Sequence, residues 1–170
     1  MPTVNFFGGR FNPLSKKHHE IIEDMTTYNG DHIVFIIDGE KSSLDMNKNP
    51  LDSEIRKEVI KSCFPNIKID VCSSIFQSLE ILDVMGYDNI RWFCGSDREE
   101  SYKKISVNFD ANIEIISFER DASISATMIR KGIIENKDVS NLLPPLKNDI
   151  KNKIKGIIKN VSTNNTGRSR

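Results

Sequence analysis

Long apolar runs are missing from this chain: none approaches the ~18–20 consecutive residues that a membrane-spanning helix needs. The first residues also lack the basic and then apolar build of a secretory signal, so nothing directs the reading toward a membrane or an exported protein. Cysteine is scarce. Cys63, Cys72 and Cys94 are an odd set without C-x-x-C spacing; Cys72 and Cys94 sit among apolar neighbours as small buried thiols, and a reducing compartment fits. An excess of either charge is absent as well, with 24 Lys plus Arg against 24 Asp plus Glu, which removes the bulk positive field of non-specific nucleic-acid binding. Internal repeats are lacking. The expectation is a cytoplasmic protein with neither membrane nor nucleic-acid partner, and its Lys, Asn and Ile richness suits an AT-rich bacterium or phage-infected host.

What is present suits one compact core: 170 residues, 38% of them hydrophobic. The charge is unevenly placed. From Lys147 to Arg170, seven basic residues face Asp149 alone, the usual pattern of a solvated terminal helix and the less common one of a binding arm.

Thr3 to Phe7 is a short apolar run ended by Gly8-Gly9, and Ile33 to Ile37 is a β-branched run ended by Asp38-Gly39; both read as strands buried on two faces. Between them, from His18 to Tyr28, Ile21, Ile22 and Met25 recur at helical spacing. Asp52 or Ser53 can cap a helix running to about Phe64, with Ile55, Val59 and Ile60 inward. Strands at 67–71, 90–94 and 112–118 then alternate with helices at 75–85, 97–105 and from 126 to near Gly132. This order predicts an α/β, Rossmann-like parallel sheet of about five strands with helices on both faces, plus a C-terminal helix. The expected division is a domain over 1–143, a helical segment over 144–161 packed on it after Pro144-Pro145, and a disordered tail over 162–170.

Three loops follow predicted strand ends, where ligands of such sheets gather. Gly8-Gly9 lets backbone approach a ligand, Arg10 can fork onto phosphate oxygens, and a helix starting near His18 would turn its N–H groups toward an anion. His18 can donate to a phosphoryl oxygen whose charge grows in a transition state. Gly95-Ser96-Asp97-Arg98 is the second loop. Ile124-Ser125-Ala126-Thr127-Met128-Ile129-Arg130 is the third; Ser125 and Thr127 also suit plain helix caps and Arg130 a surface charge, readings that the first motif makes the lesser ones. Trp92 reads as core.

On Gly9-Arg10-Phe11-Asn12-Pro13, Ser15-Lys16-Lys17-His18 and Ile124 to Arg130, the chain resembles the H-x-G-H nucleotidyltransferase superfamily over roughly Val4 to Lys131. Lys48-Asn49-Pro50-Leu51 and Gly95 to Arg98 are similar to segments of its nicotinamide mononucleotide adenylyltransferase-like and phage-encoded members. The resemblance implies transfer of an adenylyl group from ATP, with Mg2+, to nicotinamide mononucleotide, giving NAD and pyrophosphate. It assigns His18, Arg130 and Arg10 to catalysis. Gly8, Gly9, Phe11, Ser15, Lys48, Gly95, Asp97, Ser125 and Thr127 would bind nucleotide, and no protein metal site is implied, the ion being held by the triphosphate.

Two positions depart from the motif. Ser15 keeps a hydroxyl where the family has His or Thr, whereas Lys17 replaces the motif glycine and adds a long cationic chain beside the nucleotide. That leaves open other acceptors, such as a phosphopantetheine-like group or a sugar phosphate, and a non-catalytic nucleotide-binding descendant with a protein partner. Small-molecule nucleotides are the expected ligands; a homo-oligomer stays open.

Overall fold

A computed structural model of the chain describes residues 2–39, 45–119 and 123–168. Five parallel strands, β1 (Thr3–Gly9), β2 (Asp31–Ile37), β3 (Lys68–Cys72), β4 (Asn89–Gly95) and β5 (Asn112–Phe118), form one sheet in the order β3-β2-β1-β4-β5. The α-helices are α1 (Lys16–Met25), α2 (Ser53–Cys63), α3 (Ile75–Val84), α4 (Glu99–Ser106), α5 (Ala126–Ile134) and α6 (Asn148–Arg168). With helices on both sheet faces and one at the C-terminal end, this is the expected α/β Rossmann-like fold. Among the described residues no helix is long and apolar enough to cross a membrane.

Two compact units share the chain. The first, residues 1–9, 20–37 and 67–120, holds the whole sheet with α3 and α4. Strand burial follows position: β1 is buried through Val4 to Gly8 and β2 through Ile33 to Ile36, whereas β5 at the edge has no buried residue. Phe6, Phe35 and Trp92 pack with Leu79 and Leu82 of α3 on one face, and Trp92 stacks on Tyr102 of α4 at 4.1 Å. On the other side Tyr28 meets Phe93 edge-on at 5.1 Å. Trp92 is wholly buried, as its apolar neighbours suggested. Cys72 and Cys94 are buried thiols, and none of the three cysteines is paired.

The second unit, residues 10–19, 38–66 and 121–170, contains the loop after β1, α2, α5 and α6. Its buried residues include Phe11, Leu14, Leu51, Val59, Ile60, Ile129, Ile133, Ile154 and Ile158. Ile129 and Ile133, and Ile154 and Ile158, each lie four residues apart, one above the other on a helix face. Helix α6 reaches Arg168, beyond the 144–161 segment expected from the sequence.

Four local expectations need correction. Gly8 and Gly9 do not end β1: they remain in the ladder, opposite Phe35 and Ile36. A Cβ on Gly8 would fall 2.5 Å from Ile75 Cδ1, so the first glycine answers to packing against α3. Helix α1 starts at Lys16 rather than near His18, because Ser15 caps it. The inward stripe of α2 is Arg56, Val59 and Ile60, with Ile55 only half-buried; an arginine takes the place given to isoleucine. Finally, residues 96–98 form a 3-10 turn before α4 instead of its first turn.

Candidate functional site

In the second unit, Phe11 to Pro13 form a tight, buried loop after the exposed Arg10, around a backbone conformation that side-chain residues seldom adopt. Phe11 has φ +51°, in the left-handed region, and is 2% exposed. Neighbouring groups hold it there. The Asn12 side chain donates to the Leu51 carbonyl at 3.0 Å and accepts from the Leu51 N–H at 2.8 Å, reading that backbone with both ends of its amide. Arg130 Nη1 donates to the Asn12 carbonyl at 2.8 Å across 118 residues of sequence, and Nη2 to Thr127 Oγ1 at 3.3 Å. The first and last phosphate-type motifs thus meet.

His18 is set by a reciprocal cap. Its backbone N–H donates to Ser15 Oγ at 3.2 Å, while the Ser15 N–H donates to His18 Nδ1 at 3.1 Å. This is the capping-box arrangement with imidazole in place of the usual Glu or Gln at the third helical position. Because Nδ1 accepts, a neutral ring carries its hydrogen on Nε2, and the Phe11 ring meets it edge-on at 5.1 Å. Burial pushes the imidazole pKa down to about 4. His18 is therefore a neutral Nε2–H donor through the physiological range.

The lowered pKa makes stability depend on pH. An unfolded chain takes up this proton near 6.5 and the folded one only near 4, so stability complete above about 6.5 is lost as pH falls toward 4. Turnover between pH 6 and 8 should show no inflection from His18. An inflection near 6.5 that disappears in His18→Gln would contradict a neutral donor.

Arg130 is partly desolvated, which lowers its pKa; the Asp45 carboxylate opposes that shift and the charge of Arg10 adds to it. The two like charges therefore lie near enough to influence each other. Arg10 itself is exposed. Ser125 caps α5, its Oγ accepting from the Met128 N–H at 3.2 Å, so the plain cap reading of this hydroxyl holds, with its own hydrogen left to donate. Lys48 lies on an exposed turn, where its N–H donates to Asp45 Oδ1 at 3.4 Å. Lys17 is the second residue of α1 and half-buried.

The first unit carries the other expected residues. Gly9 and Gly95 stand at the carboxyl ends of β1 and β4, parallel neighbours between which the order of the sheet reverses. A Cβ on Gly95 would lie 2.8 Å from Asp97 Oδ1, so the glycine makes room for that carboxylate. Among the described residues, no three His, Cys, Asp or Glu side chains cluster as a metal site.

Two residues of the second unit escape a reading of the sequence. Asn12 lies within the loop motif, and its amide is of the kind able to pin a turn. Arg56 falls on the inward stripe of α2, where an arginine one turn after the cap is the available signal.

Residues 6–132 match the model of the cytidylyltransferase-like family. No curated protein sequence matches the chain. A Vibrio parahaemolyticus protein assigned as a nicotinate-nucleotide adenylyltransferase is 19% identical with a TM-score of 0.61, covering 93% of this chain and 99% of that one. A bifunctional NMN adenylyltransferase/ADP ribose pyrophosphatase of Francisella tularensis is 16% identical with a TM-score of 0.71; 98% of this chain spans 54% of it, about half its length. The same Francisella enzyme has also been solved with AMP and a manganese ion, at a TM-score of 0.67. At these identities the likeness is one of fold.

Proposed function

Since the chain belongs to the cytidylyltransferase-like family and is a nucleotidyltransferase, we propose that it moves an adenylyl group from ATP to nicotinamide mononucleotide, forming NAD and pyrophosphate. The observation that carries the reading is the Arg130 to Asn12 hydrogen bond, which joins two phosphate-type motifs into one cationic loop cluster. The adenylyltransferase activities named for the Vibrio and Francisella proteins support ATP as donor and a pyridine mononucleotide as acceptor.

In this reaction a phosphate oxygen of the acceptor forms a bond to the α-phosphorus of ATP, and the bond from that phosphorus to the bridging oxygen of pyrophosphate breaks. No covalent enzyme intermediate is needed, so the protein contributes alignment and charge stabilisation. His18 Nε2–H donates to an α-phosphate oxygen. Arg130 and Arg10 hold the triphosphate, helped by the Ser125 and Thr127 hydroxyls and the first-turn amides of α5. Gly9 and Gly95 give close backbone approach, Asp97 accepts from ribose hydroxyls, and Lys48 serves a flanking phosphate. Phe11 and Ser15 act by fixing His18. Magnesium enters as MgATP, a substrate whose metal the phosphates hold.

The test is pyrophosphate release with MgATP and either nicotinamide or nicotinate mononucleotide, with chromatographic detection of the dinucleotide. NAD from the nicotinamide substrate is expected; release with neither acceptor would overturn this choice of acceptor while leaving nucleotidyl transfer to another phosphate. Gly95→Ala should raise the KM for ATP by up to about tenfold by displacing Asp97, with little change in Tm. An unchanged KM would remove Asp97 from the ribose site.

A further inference from the structure

Arg56 is the most deeply buried charge among the described residues, at 2% exposed, and none of the proposed catalytic steps uses it. An arginine is seldom buried this far, because removing its charge from water costs more than a pair interaction returns unless partners are well placed. Here they are. Nε donates to the Asp52 carbonyl at 3.3 Å, Nη1 to the Arg10 carbonyl at 2.9 Å and Nη2 to Asp38 Oδ1 at 2.9 Å. A planar guanidinium has its N–H directions fixed, so these three bonds set the mutual position of the α2 start, the Asp38 side chain and the Arg10 backbone.

The Arg10 carbonyl matters because it immediately precedes the strained residue of the loop. Phe11, with its left-handed φ of +51°, stands between two carbonyls, and each is held by an arginine: Arg10 by Arg56, Asn12 by Arg130. A backbone of this kind persists only where its surroundings over-determine it. Arg130 holds one side from the region of the proposed ligand, and Arg56 holds the other from the interior.

We propose that Arg56 is a positioning residue that acts through the Arg10 backbone to aim the Arg10 guanidinium at the phosphates of the nucleotide. The inference rests on the reading of this loop as a polyphosphate site. Lysine at this position would keep the charge and most of the stem, but a single ammonium lacks the flat fork that spans all three partners.

The experiment is a double-mutant cycle of Arg56→Lys and Arg10→Ala, read as the Kd of inorganic tripolyphosphate by calorimetry, with the Tm of every protein recorded. Arg56→Lys alone should weaken binding by about tenfold, and in the Arg10→Ala background by less than about twofold, since the group it positions has gone. Equal losses in both backgrounds would overturn the proposal, because a purely structural arginine lowers binding whether or not Arg10 is present. If Arg56→Lys does not fold, Asp38→Asn carries the same cycle by weakening the clamp from its other side. Absence of tripolyphosphate binding by the unaltered chain would sink the site reading and the inference with it; binding with additive losses would sink the inference alone.

Discussion

His18→Gln is expected to lower kcat by about 10²- to 10³-fold while leaving Tm within about 2 °C of the unaltered protein. The separation arises because His18 does two jobs with different atoms. Its Nδ1 accepts from the Ser15 N–H and closes the cap of α1; its Nε2–H is the proposed donor to the α-phosphate. Glutamine is an ordinary partner at the third position of a capping box, so it can take over the first job. A flexible amide held by its oxygen does not reproduce the second. His18→Ala loses both, and its kcat should fall as far while the cap costs about 1 kcal/mol, a drop in Tm of roughly 2–4 °C. Single-turnover rates beside thermal melts give the answer. Turnover retained in His18→Gln would mean that the imidazole serves the helix alone.

Arg130→Ala should raise the Kd for ATP by about 10²-fold, the loss of two or more hydrogen bonds to a charged ligand. A structural cost accompanies it, because the Asn12 carbonyl loses its donor and the Phe11 turn one of its anchors. Arg130→Lys keeps the charge but cannot fork to Asn12 and Thr127 while also meeting phosphate, so its affinity should fall between the two. Ligand linkage adds a check on the unaltered protein: tripolyphosphate should raise its Tm, and less so in Arg130→Ala, which has lost a cationic partner. Unaltered ATP affinity in a folded Arg130→Ala would leave this guanidinium as a loop brace and nothing more.

Much of this architecture is legible in the residues themselves. Apolar runs of strand length separated by helical periodicity identify a parallel sheet, because a strand covered on both faces has to be continuously apolar, and β1 and β2 are buried in that way. The ends of elements are less legible. Gly8-Gly9 looks like a turn because glycine commonly ends strands, yet parallel pairing with β2 carries the ladder through both. Helix α1 begins two residues before the expected start because Ser15, a motif residue in sequence, is also the cap.

The residue types able to handle phosphate, His18, Arg10, Ser125 and Arg130, are determined by the sequence alone, since charge, hydrogen-bonding groups and loop position belong to the amino acids themselves. Which atom each one offers is a tertiary matter. Only folding makes His18 Nδ1 the acceptor of the Ser15 N–H and so puts the hydrogen of the neutral ring on Nε2, brings Arg130 to a carbonyl 118 residues away, and buries Arg56 against Arg10 and Asp38. A sequence pattern repeats along the chain and so reports periodic burial; hydrogen bonds between distant segments have no period, and they exist only once the chain has closed on itself.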